Sequence, residues 1–190
     1  MIANGTYDFL LPLVLGFTCN FLSAFTTAFS RRWGERRGTR ITFLLRAVLG
    51  IPFWMAGLAW AWLVPAGSVI PVTFLNVLGG ALCLATGSLM IYFAFATLRK
   101  TALTPSTRDG LVQHGIYAHL RHPMDAGMLL CFAGLFLFRP TWPVMAAGAV
   151  GVVWALAQAW AEERDLLGRL PEYRDYMRRV PGFIPIARRQ

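Results

Sequence analysis

Residues 47–98 read AVLGIPFWMAGLAWAWLVPAGSVIPVTFLNVLGGALCLATGSLMIYFAFATL, 52 consecutive positions without Asp, Glu, Lys or Arg. A helix needs roughly 20 mostly apolar residues to cross a hydrocarbon core of about 30 Å. The stretch is therefore long enough for two spans. Its middle, Pro65-Ala66-Gly67-Ser68-Val69-Ile70-Pro71, carries the Pro and Gly punctuation of a turn. One span is expected from Ile41 to Val64 and the next from Val72 to Leu98, stopped by Arg99-Lys100. Arg46, near the basic end of the earlier span, is expected to snorkel to the interface.

Working outward, Phe9 to Phe29 is a further uncharged run of 21 residues. It is longer than the apolar core of a signal peptide, and no Lys or Arg precedes it, so it reads as a retained first span. Beyond the polar segment Arg99–Pro123, the run Ala126–Phe138 has only 13 residues. That is about 20 Å of helix and too short to cross alone. The fourth helix must then begin near His122 or Pro123, with Asp125 in its first turn. After the turn Arg139-Pro140-Thr141-Trp142-Pro143, a fifth span is expected from Val144 to Ala161. The tail, Glu162–Gln190, alternates apolar and basic residues at helical spacing, with a break at Pro171. The expected fold is an all-α integral membrane protein of about five transmembrane helices with a helical C-terminal cytoplasmic tail. Residues 1–190 form a single membrane domain: 1–71 hold two N-terminal spans, and 72–190 hold spans three to five and the tail.

The formal charge of +9 is distributed, not pooled. Of the 18 Lys and Arg, 17 fall in the 30–40 loop, Arg46, the 99–123 segment and the tail, and only Arg139 falls on the other side. That is the positive-inside pattern, which argues for a membrane and against nucleic acid. It places the N-terminus outside and the C-terminus inside. Cys19, Cys83 and Cys131 lie within apolar runs and read as small packing residues.

The residues able to do chemistry gather in two places, Asp109–Asp125 and Glu162-Glu163. A short turn makes helices four and five antiparallel neighbours. Their basic ends then meet, bringing Arg121, His122 and Asp125 to Glu162 and Glu163. Two roles fit Asp125: a first-turn carboxylate favoured by the helix dipole, or an intramembrane functional group. Glu162-Glu163 fit pairing with surface arginines, but a helix C-terminus disfavours two adjacent carboxylates. His114, His119 and His122 match no common zinc spacing, and no metal is expected. Phosphate-loop, dinucleotide and G-x-S-x-G fingerprints are missing.

The ordered set Gly110-Leu111-Val112-Gln113-His114-Gly115-Ile116-Tyr117, Arg121-His122-Pro123-Met124, Gly127, Glu162-Glu163, Pro171-Glu172-Tyr173-Arg174-Asp175-Tyr176 and Arg179-Val180-Pro181-Gly182-Phe183-Ile184-Pro185 resembles the C-terminal half of the isoprenylcysteine carboxyl methyltransferase and phospholipid methyltransferase superfamily. The likeness covers residues 99–186. It implies a membrane enzyme that transfers a methyl group from S-adenosylmethionine to a lipophilic small-molecule or lipid acceptor, in a cytoplasmic pocket closed by the tail. It assigns cofactor contacts to Asp109, Gly110, Leu111, Val112, Tyr117, His122, Pro123, Met124, Asp125, Glu162 and Glu163. Two positions depart from it. Asp125 stands where the superfamily usually has Tyr, and Gln158 stands where the carboxyl methyltransferases have an acceptor-associated Arg. Asp125 and Arg121 are the candidate catalytic groups and Gln158 the candidate acceptor contact. Both departures weaken a prenylcysteine carboxylate as acceptor and leave a lipid amine open. An NADPH-dependent sterol-type reductase, which shares a short R-H-P motif, is the alternative of another class.

Overall fold

The computed structural model describes residues 7–185. The uncharged N-terminal stretch lies outside the described residues as far as Thr6, and so do Arg188 and Arg189. Among the described residues the chain is all-helical: α1 (Leu10–Ser23), α2 (Thr26–Trp33), α3 (Glu35–Phe43), a π-helical segment (Leu44–Gly50), α4 (Ile51–Leu63), α5 (Phe74–Leu98), α6 (Pro123–Phe138), α7 (Trp142–Arg169) and α8 (Tyr173–Arg179). Short 3-10 turns follow α5 at Arg99–Ala102 and precede α6 at Gly115–Ala118.

Several boundaries differ from the sequence reading, each for a local reason. The first apolar run is broken, because α1 and α2 meet at a 64° bend. Ser23 Oγ donates to the Asn20 carbonyl at 2.6 Å and Thr26 Oγ1 to the Ser23 carbonyl at 3.2 Å. Hydroxyls that take up backbone carbonyls in this way bend helices. The arginine-bearing 30–40 segment is helical, not a loop, and α3 runs through the π segment into α4 as one rod, Glu35–Leu63. The fifth helix runs to Arg169, past the expected end at Ala161. Glu162 and Glu163 are therefore inside a helix, and the argument from an unfavourable C-terminal dipole does not apply to them.

Among the described residues three helices, Glu35–Leu63, Phe74–Ala102 and Trp142–Arg169, are long and apolar enough to cross a membrane, or four if the bent α1–α2 pair is one span. Helix α6, with 16 residues, is the shorter fifth apolar helix. It begins at Pro123 with Asp125 in its first turn, as expected.

Two antiparallel pairs make the bundle. In the first, a Cβ on Gly134 would lie 2.9 Å from the Gly80 carbonyl oxygen, and one on Gly127 would lie 2.6 Å from that of Gly87. Matched glycines thus let α5 and α6 touch along their backbones. In the second, Gly16 and Gly57 allow the same approach between α1 and the π segment–α4 rod. Helix α7 packs against α1, α4 and α6 and so joins the pairs. The junction is aromatic: Phe17 stacks on Trp154 at 4.7 Å and on Trp54 at 5.7 Å, with Phe132 edge-on at 6.5 Å.

The two ends of the bundle are chemically distinct. At one end Val69 N donates to the Pro140 carbonyl at 2.7 Å, Arg139 Nη2 donates to the Val64 carbonyl at 3.1 Å, and Tyr7 meets Trp142 edge-on. The 99–122 segment, α3 and the tail gather at the other. There Glu35 accepts from Ser106 Oγ at 2.6 Å and from Thr107 N at 3.1 Å, and also from the Thr107 hydroxyl.

Candidate active site

A cavity of about 700 Å³ lies at the basic end, between the helix pairs. Ligand sites typically enclose 300–1,000 Å³. Its polar half is lined by Asp109, Gly110, Leu111, Val112, Tyr117, Arg121, His122, Pro123, Met124, Asp125 and Glu162. Its other half is apolar, with Ile51, Trp54, Met55, Ile91, Phe95, Met128 and Trp154, together with Asn20 and Gln158. Met55 and Phe95 are also exposed on the outer surface, 54% and 43% accessible. The cavity therefore reaches the apolar flank of the bundle, where lipid would lie.

The 99–122 segment is fastened before it enters the site. Asp109 Oδ2 accepts from Ser106 N at 2.7 Å. Arg169, at the end of α7, donates to the Asp109 carbonyl at 3.0 Å and pairs with Asp165 at 3.1 Å. Gly115 takes φ +60°, where a side chain would be strained, and its turn sets Tyr117 into the cavity wall. Burial first, then the Glu162 and Asp125 carboxylates, push the Tyr117 phenol far up. It stays neutral and a hydrogen-bond donor.

The tail roofs this half. Tyr173, Tyr176 and Val180 form a small core with Leu111, Leu166, Leu170 and Met177. The Tyr176 hydroxyl donates to the Tyr117 carbonyl at 2.7 Å, and burial pushes its phenol up to about 12. Arg121 N and His122 N donate to the carbonyls of Pro181 and Gly182 at 2.9 and 3.0 Å, and Phe183 stacks on His122. The tail thus covers the bundle end.

Four ionisable groups meet where α6 faces α7. His122 Nε2 hydrogen-bonds Glu163 Oε1 at 2.9 Å, and Arg121 Nη1 pairs with the same oxygen at 3.3 Å. His122 Nδ1 lies 3.7 Å from Asp125 Oδ2. Burial opposes charging of the imidazole. The Glu163 bond and the Asp125, Glu162 and Glu163 carboxylates outweigh it, and the His122 pKa is raised. Glu163 itself does not line the cavity. It reaches the site through His122 and Arg121, which differs from the direct cofactor contact assigned to it above. Ligand atoms of His122, Asp125 and Glu162 lie within 4.8 Å of one another, close enough to hold a metal ion, a grouping that histidine spacing alone did not show. A guanidinium already meets Glu162 in that grouping.

That guanidinium belongs to Arg46, which the sequence reading sent to the interface. It turns into the bundle instead, donating to Glu162 Oε1 at 2.8 Å, to the Ala102 carbonyl at 3.0 Å and to Ser23 Oγ at 3.0 Å. Its π-helical setting is a backbone irregularity frequent at functional sites, and Pro52, which cannot donate the next helical bond, follows closely. The readable signal was an Arg inside an apolar run with Pro six residues on. Gln158 Nε2 also donates to Glu162 Oε1, at 2.8 Å. Gln158 Oε1 and Trp154 Nε1, buried one helical turn apart, have no partner among the described residues.

The polar half of the cavity, roofed by the tail, thus continues into an apolar chamber between the helix pairs. Residues 75–169 match the phospholipid methyltransferase family, and the chain belongs to that family of membrane methyltransferases. It is 32% identical over 157 residues to the methanethiol S-methyltransferase of Mycobacterium tuberculosis, a match that covers 77% of this chain and 63% of that protein. The chain thus spans somewhat under two thirds of the length of this relative. No solved structure matches it. The family is one of methyltransferases, a different class from the sterol-type reductase alternative.

Proposed function

We propose that this chain transfers a methyl group from S-adenosylmethionine to a neutral, membrane-soluble acceptor at the cytoplasmic face. One observation carries the reading. Ten positions to which the resemblance assigns the cofactor, Asp109–Val112, Tyr117, His122–Asp125 and Glu162, come from three separate segments and line a single cavity. The positive-inside pattern orients this end towards the cytoplasm.

The donor set suits that cofactor. Asp125 and Glu162 are two carboxylates at close range in a partly buried site, an arrangement that favours a cationic ligand. Tyr117, held neutral, can donate. Tyr173, Tyr176 and Phe183 keep water from the polar half. S-adenosylmethionine, when bound, supplies a methyl group on a cationic sulfonium. The chain must then orient the acceptor, which provides much of the acceleration in such a displacement.

For the acceptor, the apolar chamber and its opening at Met55 and Phe95 favour a molecule that arrives uncharged. A thiol, with a pKa of about 8.5, is neutral at ordinary pH, whereas amines and carboxylates are charged. The relative's thiol substrate points the same way. A thiol must lose its proton, and Asp125, buried at the junction of the two halves, is the base we assign. Arg121 faces Glu163, and the role we assign to it is to neutralise that carboxylate. The second reading, a lipid amine, rests on Asp125, which would hold an ammonium group.

Titration of the purified protein with S-adenosylhomocysteine tests the reading. Saturable binding is expected, weakened about 100-fold or more in Glu162→Ala, which corresponds to roughly 3 kcal/mol. Wild-type protein that does not bind, or a variant that binds equally well, defeats it. Incubation with labelled donor and either alkanethiols or membrane lipids then separates thioether from methylated-amine products.

A further inference from the structure

We propose that Arg46 is a positioning residue for the methyl-donor site, through which the N-terminal helices complete a pocket that the family-matched residues 75–169 do not close alone. The inference rests on the reading above and extends it to a residue outside the stretch 75–169 that matches the family model.

The geometry is specific. Among the described residues Glu162 receives two side-chain hydrogen bonds, both on Oε1, from Arg46 Nη2 and from Gln158 Nε2, each at 2.8 Å. One carboxylate oxygen is thereby held, leaving Oε2 for a ligand. Arg46 is itself held at two other points, by Ser23 Oγ on α1 and by the Ala102 carbonyl after α5. A guanidinium with three fixed partners has little freedom left to lose, and charge-assisted bonds of this kind are the strong ones. The pair is sheltered but not sealed, with side-chain exposures of 16% for Arg46 and 30% for Glu162. The π segment is wedged in place, since a Cβ on Gly50 would strike the Asn20 amide. Arg46 also supplies a positive charge beside the Asp125–Glu162 pair, so the empty pocket can keep both carboxylates near each other.

The test is S-adenosylhomocysteine affinity in the full-length detergent-solubilised protein, with ligand-free melting temperature followed in parallel. Arg46→Gln is expected to weaken binding about ten-fold or more, and Arg46→Lys, which keeps the charge, to recover part of that loss. The double variant Arg46→Gln/Glu162→Gln should bind no more weakly than Glu162→Gln alone, because both changes break one coupling. In turnover assays the loss should appear in KM for the methyl donor more than in kcat. If Arg46→Gln fails to fold, Ser23→Ala decides. It removes the Nε partner of Arg46 and with it the bond of the same hydroxyl to the Asn20 carbonyl, and about two- to five-fold weaker binding by protein that still folds is expected. Wild-type affinity in Arg46→Gln, additive losses in the double variant, or unchanged affinity in Ser23→Ala overturns the proposal while leaving the methyltransferase reading intact. A wild-type protein that binds no S-adenosylhomocysteine overturns both.

Discussion

The two halves of this molecule serve the cavity in different ways. The C-terminal half, from α5 to the tail, supplies contiguous stretches of lining such as Asp109–Val112 and His122–Asp125. It fixes them by backbone hydrogen bonds and by glycine contacts between helices. The N-terminal half supplies separate side chains from two helical stretches, among them Asn20 and Thr26 from the first and Arg46, Ile51, Trp54 and Met55 from the second. Sites made of contiguous backbone leave motifs, whereas sites made of single side chains on apolar helices do not. The family-model match covers residues 75–169, while the similarity to the mycobacterial relative covers 77% of the chain and so reaches into the N-terminal half as well.

The sharpest way to break the comparison is at the α5–α6 contact. Gly127→Leu would drive a side chain into the Gly87 carbonyl, an overpacking that costs about 3 kcal/mol or more when backbone is struck. Folded protein should no longer be recovered by size-exclusion chromatography after detergent extraction. Gly67→Leu, with open space around it, should behave as wild type. A tolerated Gly127→Leu would mean that the matched half is not the rigid one.

Thr42→Val probes the N-terminal half. It removes one partner of the buried Thr26 hydroxyl, at 3.1 Å across the α2–α3 turn. The Thr26 hydroxyl keeps its bond to the Ser23 carbonyl, so the loss is that of one hydrogen bond, about 1 kcal/mol, and the melting temperature should fall measurably. Because this pair anchors the rod that carries Arg46, S-adenosylhomocysteine affinity should also drop slightly. A stability loss with no change in affinity would separate the halves more completely than the structure does.

Tyr176→Phe removes the bond from the tail to the Tyr117 carbonyl. The loss is about 1 kcal/mol, or roughly five-fold in ligand affinity, seen as faster dissociation. The smallest effect is that of pH. The folded-state pKa of His122 is raised above the ordinary value of 6.5. Its charged interactions with Glu163 and Asp125 therefore stabilise fully below that value and are lost as pH rises through the folded pKa. The melting temperature of the wild type should decline across that interval. His122→Asn should start lower and converge on the wild type at alkaline pH, and a constant gap would contradict the assignment.

Much of the fold was legible because apolar run length and charge placement are strong signals in a membrane chain. The start of α6 at Pro123, the opposed ends of the bundle and the meeting of His122, Asp125 and Glu162 all follow from them. The bend at Ser23–Thr26 was not legible, because three-residue side-chain-to-carbonyl bonds lie below hydropathy. The length of α7 was misjudged because Glu162-Glu163-Arg164-Asp165 reads as the end of an apolar run, although charged residues continue a helix readily once it leaves the lipid. Arg46 was placed at the interface because its partners, Ser23, Ala102 and Glu162, come from three distant parts of the chain. Only tertiary packing brings them together.

The glycine pairing of α5 with α6 also bears on how the protein enters its membrane. Sixteen residues of α6 make a helix of about 24 Å, short of the roughly 30 Å of hydrocarbon, and its first turn carries a carboxylate. Such a segment partitions poorly by itself. Laid along the 25 residues of α5, with Gly80 and Gly87 against Gly134 and Gly127, it presents a two-helix body whose apolar length is that of the longer partner. The unit of insertion is then the hairpin, and the polar turn that the membrane would reject in a lone helix is carried to its place beside Glu162.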